Sequence, residues 1–121
     1  TFPARPQELR PVRRLLRSWL DTDGMPAAMI DDVLVAVGEA CSNAVEHSGT
    51  AEVEVVGHRS DGQVVVVVRD RGRWRTPPAI TDRGRGSAIM ERLTDRLERH
   101  TDAEGTTLVL TFAWSPEADG T

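Results

Sequence analysis

Apolar residues recur every three or four positions in some stretches of the chain and every second position in others, and that contrast lays out its elements. Over 7–20, Leu9, Val12, Leu16, Trp19 and Leu20 share one helical face while Arg10, Arg13, Arg14 and Arg17 take the rest of the wheel, which predicts an amphipathic helix. Pro11 falls near its start, where a missing amide hydrogen is tolerated. After a turn at 21–24, Pro26 opens a second helix that should end near Gly49, with Met29, Val33, Ala36, Val37, Ala40 and Ala44 as its apolar stripe. Two strands follow at 51–58 and 63–69, joined across Ser60, Asp61 and Gly62 as an antiparallel hairpin. The unbroken run from Val64 to Val68 predicts a central strand buried on both faces, whereas Glu52 and Glu54 alternating with valines give the first strand one wet face. Ile89, Met90, Leu93 and Leu97 predict a third helix over 87–99, and Leu108, Leu110, Phe112 and Trp114 a last strand over 106–114. Residues 2–6 read as an extended lead-in or edge strand, 76–83 with Pro77 and Pro78 as a loop, and 115–121 as a frayed tail.

The second helix also carries polar groups beside its apolar stripe. Glu39 and Asn43 stand four residues apart, which puts both on one face, and His47 extends the row by a turn. A carboxylate, an amide and an imidazole in a core-facing helix need a partner, and a metal ion or an anionic ligand would supply one. His47 could equally serve as a cap. Further on, Asp70-Arg71-Gly72 at a strand end reads either as a plain Asp-x-Gly turn or as a carboxylate set in a cleft, with glycine leaving room for a ligand. Gly84-Arg85-Gly86 precedes the third helix, where free amides and the helix dipole favour a phosphate. Gly105-Thr106-Thr107 precedes the last strand.

Composition narrows the field. At 121 residues, 39% hydrophobic and 28% charged, the chain suits one globular domain, and no apolar run approaches the ~18 residues of a membrane span. A net charge of −4 argues against nucleic acid as a direct partner. Six arginines against two aspartates between Arg69 and Arg85 suit a small polyphosphate, or else a solvated loop. The single cysteine, Cys41, excludes an internal disulfide and a cysteine-rich zinc site, reads as a small core residue, and points to the cytoplasm. Trp19 and Trp114 also read as core. The chain begins at Thr1 without methionine, which is compatible with a domain taken from a longer protein. A Walker loop, a dinucleotide Gly-x-Gly-x-x-Gly and the elbow of a serine nucleophile are all absent from the sequence.

Taken in order, Glu39-x-x-x-Asn43, Asp70-x-Gly72, Gly84-x-Gly86 and Gly105-Thr106-Thr107 form a set that resembles the ATP-binding module of the GHKL superfamily. Within it, the run from Gly38 to His47 is particularly similar to the anti-sigma factor serine kinases of bacterial partner-switching systems. The resemblance implies a Bergerat-type ATP-binding fold: a two-layer α/β sandwich with three helices on one face of a mixed, mostly antiparallel sheet. It implies ATP and Mg²⁺ as cofactors, with Glu39 as general base and Asn43 as the metal ligand. Asp70 would accept a hydrogen bond from the adenine amino group, with Gly72 giving room and Thr107 assisting. Gly84, Arg85 and Gly86 would wrap the phosphates, with His47 nearby. Ser87 departs from the aliphatic residue usual after that turn. The implied activity is phosphorylation of a serine on an anti-anti-sigma protein, together with sequestration of a sigma factor. Arg13, Arg14 and Arg17 mark the region expected to meet the anti-anti-sigma partner, and a homodimer is compatible with sigma binding. The alternative is a nucleotide-gated protein-binding domain, without competent kinase activity, inside a multidomain signalling protein.

Overall fold

Two local hairpins and the seam between them make most of the sheet. The computed structural model describes residues 1–22, 24–47, 49, 52–60, 62–72 and 86–114. Its elements run β1 (Phe2–Pro3), a single 3-10 turn (Pro6–Glu8), α1 (Leu9–Asp21), α2 (Ala27–His47), β2 (Glu52–Ser60), β3 (Gln63–Asp70), α3 (Gly86–Leu93), β4 (Arg96–Asp102) and β5 (Gly105–Ala113). The strands lie in the order β1-β2-β3-β5-β4. Every pairing among the described residues is antiparallel, where the resemblance implied a mixed, mostly antiparallel sheet. Each hairpin closes through a glycine with positive φ, Gly62 between β2 and β3 and Gly105 at the start of β5.

The helices cover one face of this sheet. Val53, Val64, Val66, Val68, Leu108, Leu110 and Phe112 point into that face and are buried against Leu20, Ile30, Val33, Val37, Ala40 and Met90. Each fully buried valine or leucine there contributes about 1.5–3 kcal/mol of hydrophobic stabilisation. The other face is open. Glu52 and Glu54 are exposed on it, as expected, and Val65 and Val67 are only half-buried. The valine run therefore corrects to a strand with one buried face: no second layer covers its alternate positions among the described residues.

The largest departure from expectation lies at 87–99. The helix stops at Leu93, and Arg96–Asp102 is a strand paired with β5 from Arg96 opposite Thr111 to Asp102 opposite Gly105. Two bonds from Thr94 to the Met90 carbonyl, one from the amide and one from Oγ1, finish the helix. The next amide, Asp95 N–H, already donates to Thr111 on β5, and Asp95 Oδ2 accepts from Ala113 N–H at 2.6 Å. Leu97, four residues past Leu93, fits a helical stripe on paper but packs beside the core as a strand residue opposite Leu110.

Interlocking at the other edge fixes α1. Arg59 of β2 places its guanidinium 4.7 Å from the Trp19 ring centre and donates from Nη2 to the Trp19 carbonyl near the end of α1. Gly57 lies beneath the same indole: a Cβ there would stand 2.8 Å from ring carbons. Trp19 and Trp114 sit half-buried at the margin of the core rather than within it, whereas Cys41 is buried in it. No helix among the described residues is long and apolar enough to cross a membrane.

Candidate nucleotide site

The end of β3 where the central strand meets β5 carries a buried carboxylate. Alternation along β3 turns Val64, Val66 and Val68 inward, and the same parity turns Asp70 inward, where it is 3% exposed. A buried carboxylate needs donors. Its Oδ1 accepts the Gly72 amide at 3.1 Å, so the Asp-x-Gly turn supplies one donor to the buried carboxylate. Gly72 is half-buried beside it and Arg71 exposed.

The neighbour of Asp70 across the seam is Thr106, also 3% exposed. Thr107, the residue expected there, pairs with Arg69 and belongs to the open face. Thr107 thus lies on the opposite face of the sheet from Asp70, and Thr106 is the threonine beside it. The signal was in the sequence: Leu108, Leu110 and Phe112 point inward, and counting back by twos reaches Thr106. Thr106 Oγ1 lies 3.5 Å from Thr101 Oγ1 of β4, so hydroxyls continue the polar row from Asp70 across β5 to β4.

Glu39 and Asn43 come from α2. The side of α2 formed by Leu34, Val37, Gly38 and Cys41 meets α1 across a narrow gap lined by Leu9, Val12 and Leu16. At about 100° per residue, Glu39 and Asn43 fall together on the flank opposite that gap, and both are half-buried. Gly86 opens α3, and His47 is the last residue of α2. Gly84, Arg85 and the loop before them lie outside the described residues. Cys41, although two residues from Glu39 and from Asn43, points into the core, where burial pushes its thiol up to about 12.

The arginines of α1 divide. Arg17 Nη2 binds Asp31 Oδ1 of α2 at 2.8 Å, both ends well exposed, and so ties the two helices together at the surface. Arg13 and Arg14 are both exposed, Arg13 at the rim of the gap between α1 and α2.

A sheet capped on one side by three helices, with a polar row at one strand end and a carboxylate and amide on the central helix, defines a class. The chain belongs to the family of histidine kinase-like ATPase domains, which it matches over residues 2–112. In particular, it is similar to the serine-protein kinase RsbW of Bacillus licheniformis, 28% identical over 130 aligned positions that take in 90% of this chain and 80% of that protein. It is also similar to the crystal structure of the RsbU and RsbW domains of Rv1364c from Mycobacterium tuberculosis, with a TM-score of 0.77 and 34% identity over 93% of this chain and 31% of that one. The chain thus spans about a third of that solved relative. The blue-light activated histidine kinase of Erythrobacter litoralis EL346 shares the fold, with a TM-score of 0.64 at 22% identity over 78% of this chain and 33% of that chain.

Proposed function

We propose that the chain is an Mg-ATP-dependent serine kinase that phosphorylates an anti-anti-sigma protein and, in its other state, sequesters a sigma factor. The observation that carries this reading is the inward-facing Asp70, buried at the strand end and backed by Thr106, in a chain similar to the serine-protein kinase RsbW. Asp70 accepts a hydrogen bond from an adenine amino group, and Gly72 leaves space beside it for the base. Glu39 takes the proton from the attacking serine hydroxyl, the one step of general-base work that phosphoryl transfer asks of a protein. Gly86, with Gly84, Arg85 and His47, holds the phosphates through amides and positive charge.

Asn43 offers a single amide oxygen from a helix face, and no group of three or more His, Cys, Asp or Glu side chains among the described residues could cage a metal alone. That donor set fits Mg²⁺, which takes most of its ligands from phosphates and water. When bound, the ion neutralises phosphate charge. Arg13 and Arg14, exposed on α1, form the contact region for the anti-anti-sigma protein.

The second reading, a nucleotide-gated regulatory domain of a larger signalling protein, draws on the two-domain relative of which this chain spans 31%. One assay separates them. The protein is incubated with Mg-ATP and candidate anti-anti-sigma proteins, and products are read by intact mass, with Asn43→Ala as control. Serine phosphorylation lost in the control supports the kinase; ATP binding without transfer to any candidate supports the gated binder and overturns the kinase.

A further inference from the structure

One side chain closes the turn between β4 and β5. Asp102 Oδ1 accepts the amide of Glu104 at 2.7 Å and the amide of Gly105 at 3.1 Å, while Asp102 and Gly105 form the last pair of the ladder. Gly105 has φ +146°, a conformation L side chains rarely adopt, and it runs hard against the end of β3. A Cβ there would fall 1.9 Å from the Asp70 carbonyl oxygen and 2.7 Å from the Arg71 Cα. The peptide that Asp102 holds is therefore the peptide on which the Asp70–Arg71 link is seated.

We propose that Asp102 is a positioning residue for Asp70, setting the carboxylate that reads the base without touching nucleotide itself. This rests on the reading of Asp70 as the acceptor for an adenine amino group. A carboxylate that accepts two successive amides fixes the turn through charge-assisted bonds. Without it both amides turn to water, and the glycine, with no Cβ, keeps only the terminal ladder pairing to hold it in place. The Asp70 backbone then loses its seat on one side, and a hydrogen bond whose strength falls steeply with angle is misaligned. Sequence spacing alone hides the link. Asp102 and Asp70 sit on strands that are not neighbours, and β5 carries the contact between them.

The test compares ATP with purine riboside triphosphate, which lacks the 6-amino group. Dissociation constants for both are measured by calorimetry on the whole chain, alongside melting temperatures, for wild type, Asp102→Ala and Asp102→Asn. Wild type should prefer ATP by roughly 10- to 100-fold, the span of one hydrogen bond to a charged group. Asp102→Ala should reduce that preference to about a third of its wild-type value or less, and Asp102→Asn, whose side-chain oxygen can accept the same two amides, should retain it. An unchanged preference in Asp102→Ala overturns the positioning role even if both affinities fall, because general loosening weakens the two nucleotides alike. Loss of the preference in a folded Asp102→Asn overturns it as well. A wild-type protein that does not distinguish the two nucleotides overturns the Asp70 reading itself, an outcome distinct from the others.

Discussion

A side-chain carbon on Gly105 would stand 1.9 Å from the carbonyl oxygen of Asp70, so the first residue of β5 and the last of β3 touch backbone to backbone. Backbone cannot swing aside as a flexible side chain can. Gly105→Ala is expected to lower stability by about 2–4 kcal/mol, combining an unfavourable φ with overpacking. In a domain of this size that is a fall on the order of 10 °C in melting temperature. A melting point within about 2 °C of wild type would show that the contact relaxes freely.

Thr106 and Thr107 are adjacent yet lie on opposite faces of the sheet, and a pair of isosteric changes separates them. Thr106→Val should weaken ATP binding about tenfold through the lost hydroxyl beside Asp70, while Thr107→Val leaves it within about twofold. The reverse order would restore the residue that the sequence motif first suggested.

Glu39→Ala is expected to cut phosphotransfer by roughly 10²- to 10⁴-fold and leave the ATP dissociation constant near wild type, since a general base acts on the nucleophile and not on nucleotide binding. Asn43→Ala should lose transfer and Mg-dependent nucleotide affinity together. Stopped-assay kinetics with parallel titrations check both. Undiminished transfer in Glu39→Ala would remove it from that role.

Cys41 makes the protein sensitive to alkali. Burial raises its thiol from 9.0 to about 12, so the unfolded chain gives up that proton at a lower pH than the folded one. The neutral thiol's contribution is complete below about pH 9 and is lost as pH rises toward about 12, by at most about 1.4 kcal/mol per pH unit. Urea unfolding between about pH 8 and 11 should show this slope in wild type and not in Cys41→Ala. Parallel curves would sink the assignment.

Arg59 ties the edge of the sheet to the end of α1. Arg59→Ala should cost about 1–2 kcal/mol, from the cation–π contact with Trp19 and the bond to the Trp19 carbonyl. Lysine should recover only part of this, lacking the planar fork that can both stack and donate. Denaturant midpoints of the three proteins decide it, and an Arg59→Ala midpoint equal to wild type would show that the stacking contributes nothing net.

Much of this architecture was readable because single elements announced themselves. The stripes of α1 and α2 repeat at the helical period for many turns, and the β2–β3 hairpin has a turn residue where it needs one. The region 87–99 did not announce itself: Leu97 is the only apolar residue between Arg96 and Asp102, so nothing local distinguishes strand from helix. Its pairing with β5, a partner later in the chain, decides the matter. At the site, Asp70 and Gly72 were visible as a motif, and Glu39 with Asn43 as a polar row. That Thr106 and not Thr107 shares the inward face with Asp70 follows from the alternation along β5, which the motif alone does not carry. Asp102 and Gly105 were invisible as a device, since only the sheet order brings them to Asp70.

The β3–β5 pairing has a kinetic meaning. β2 with β3 and β4 with β5 each close across a short turn, whereas joining the two hairpins requires the chain to return across everything between them, α3 included. Short loops close at less entropic cost than long ones, so the seam is expected to form after the two hairpins. Asp70 and Thr106 face each other across that seam. A chain with both hairpins made but not yet zipped therefore lacks the buried Asp70–Thr106 pair. A ligand that engaged Asp70 and Thr106 together would hold that long-range join closed.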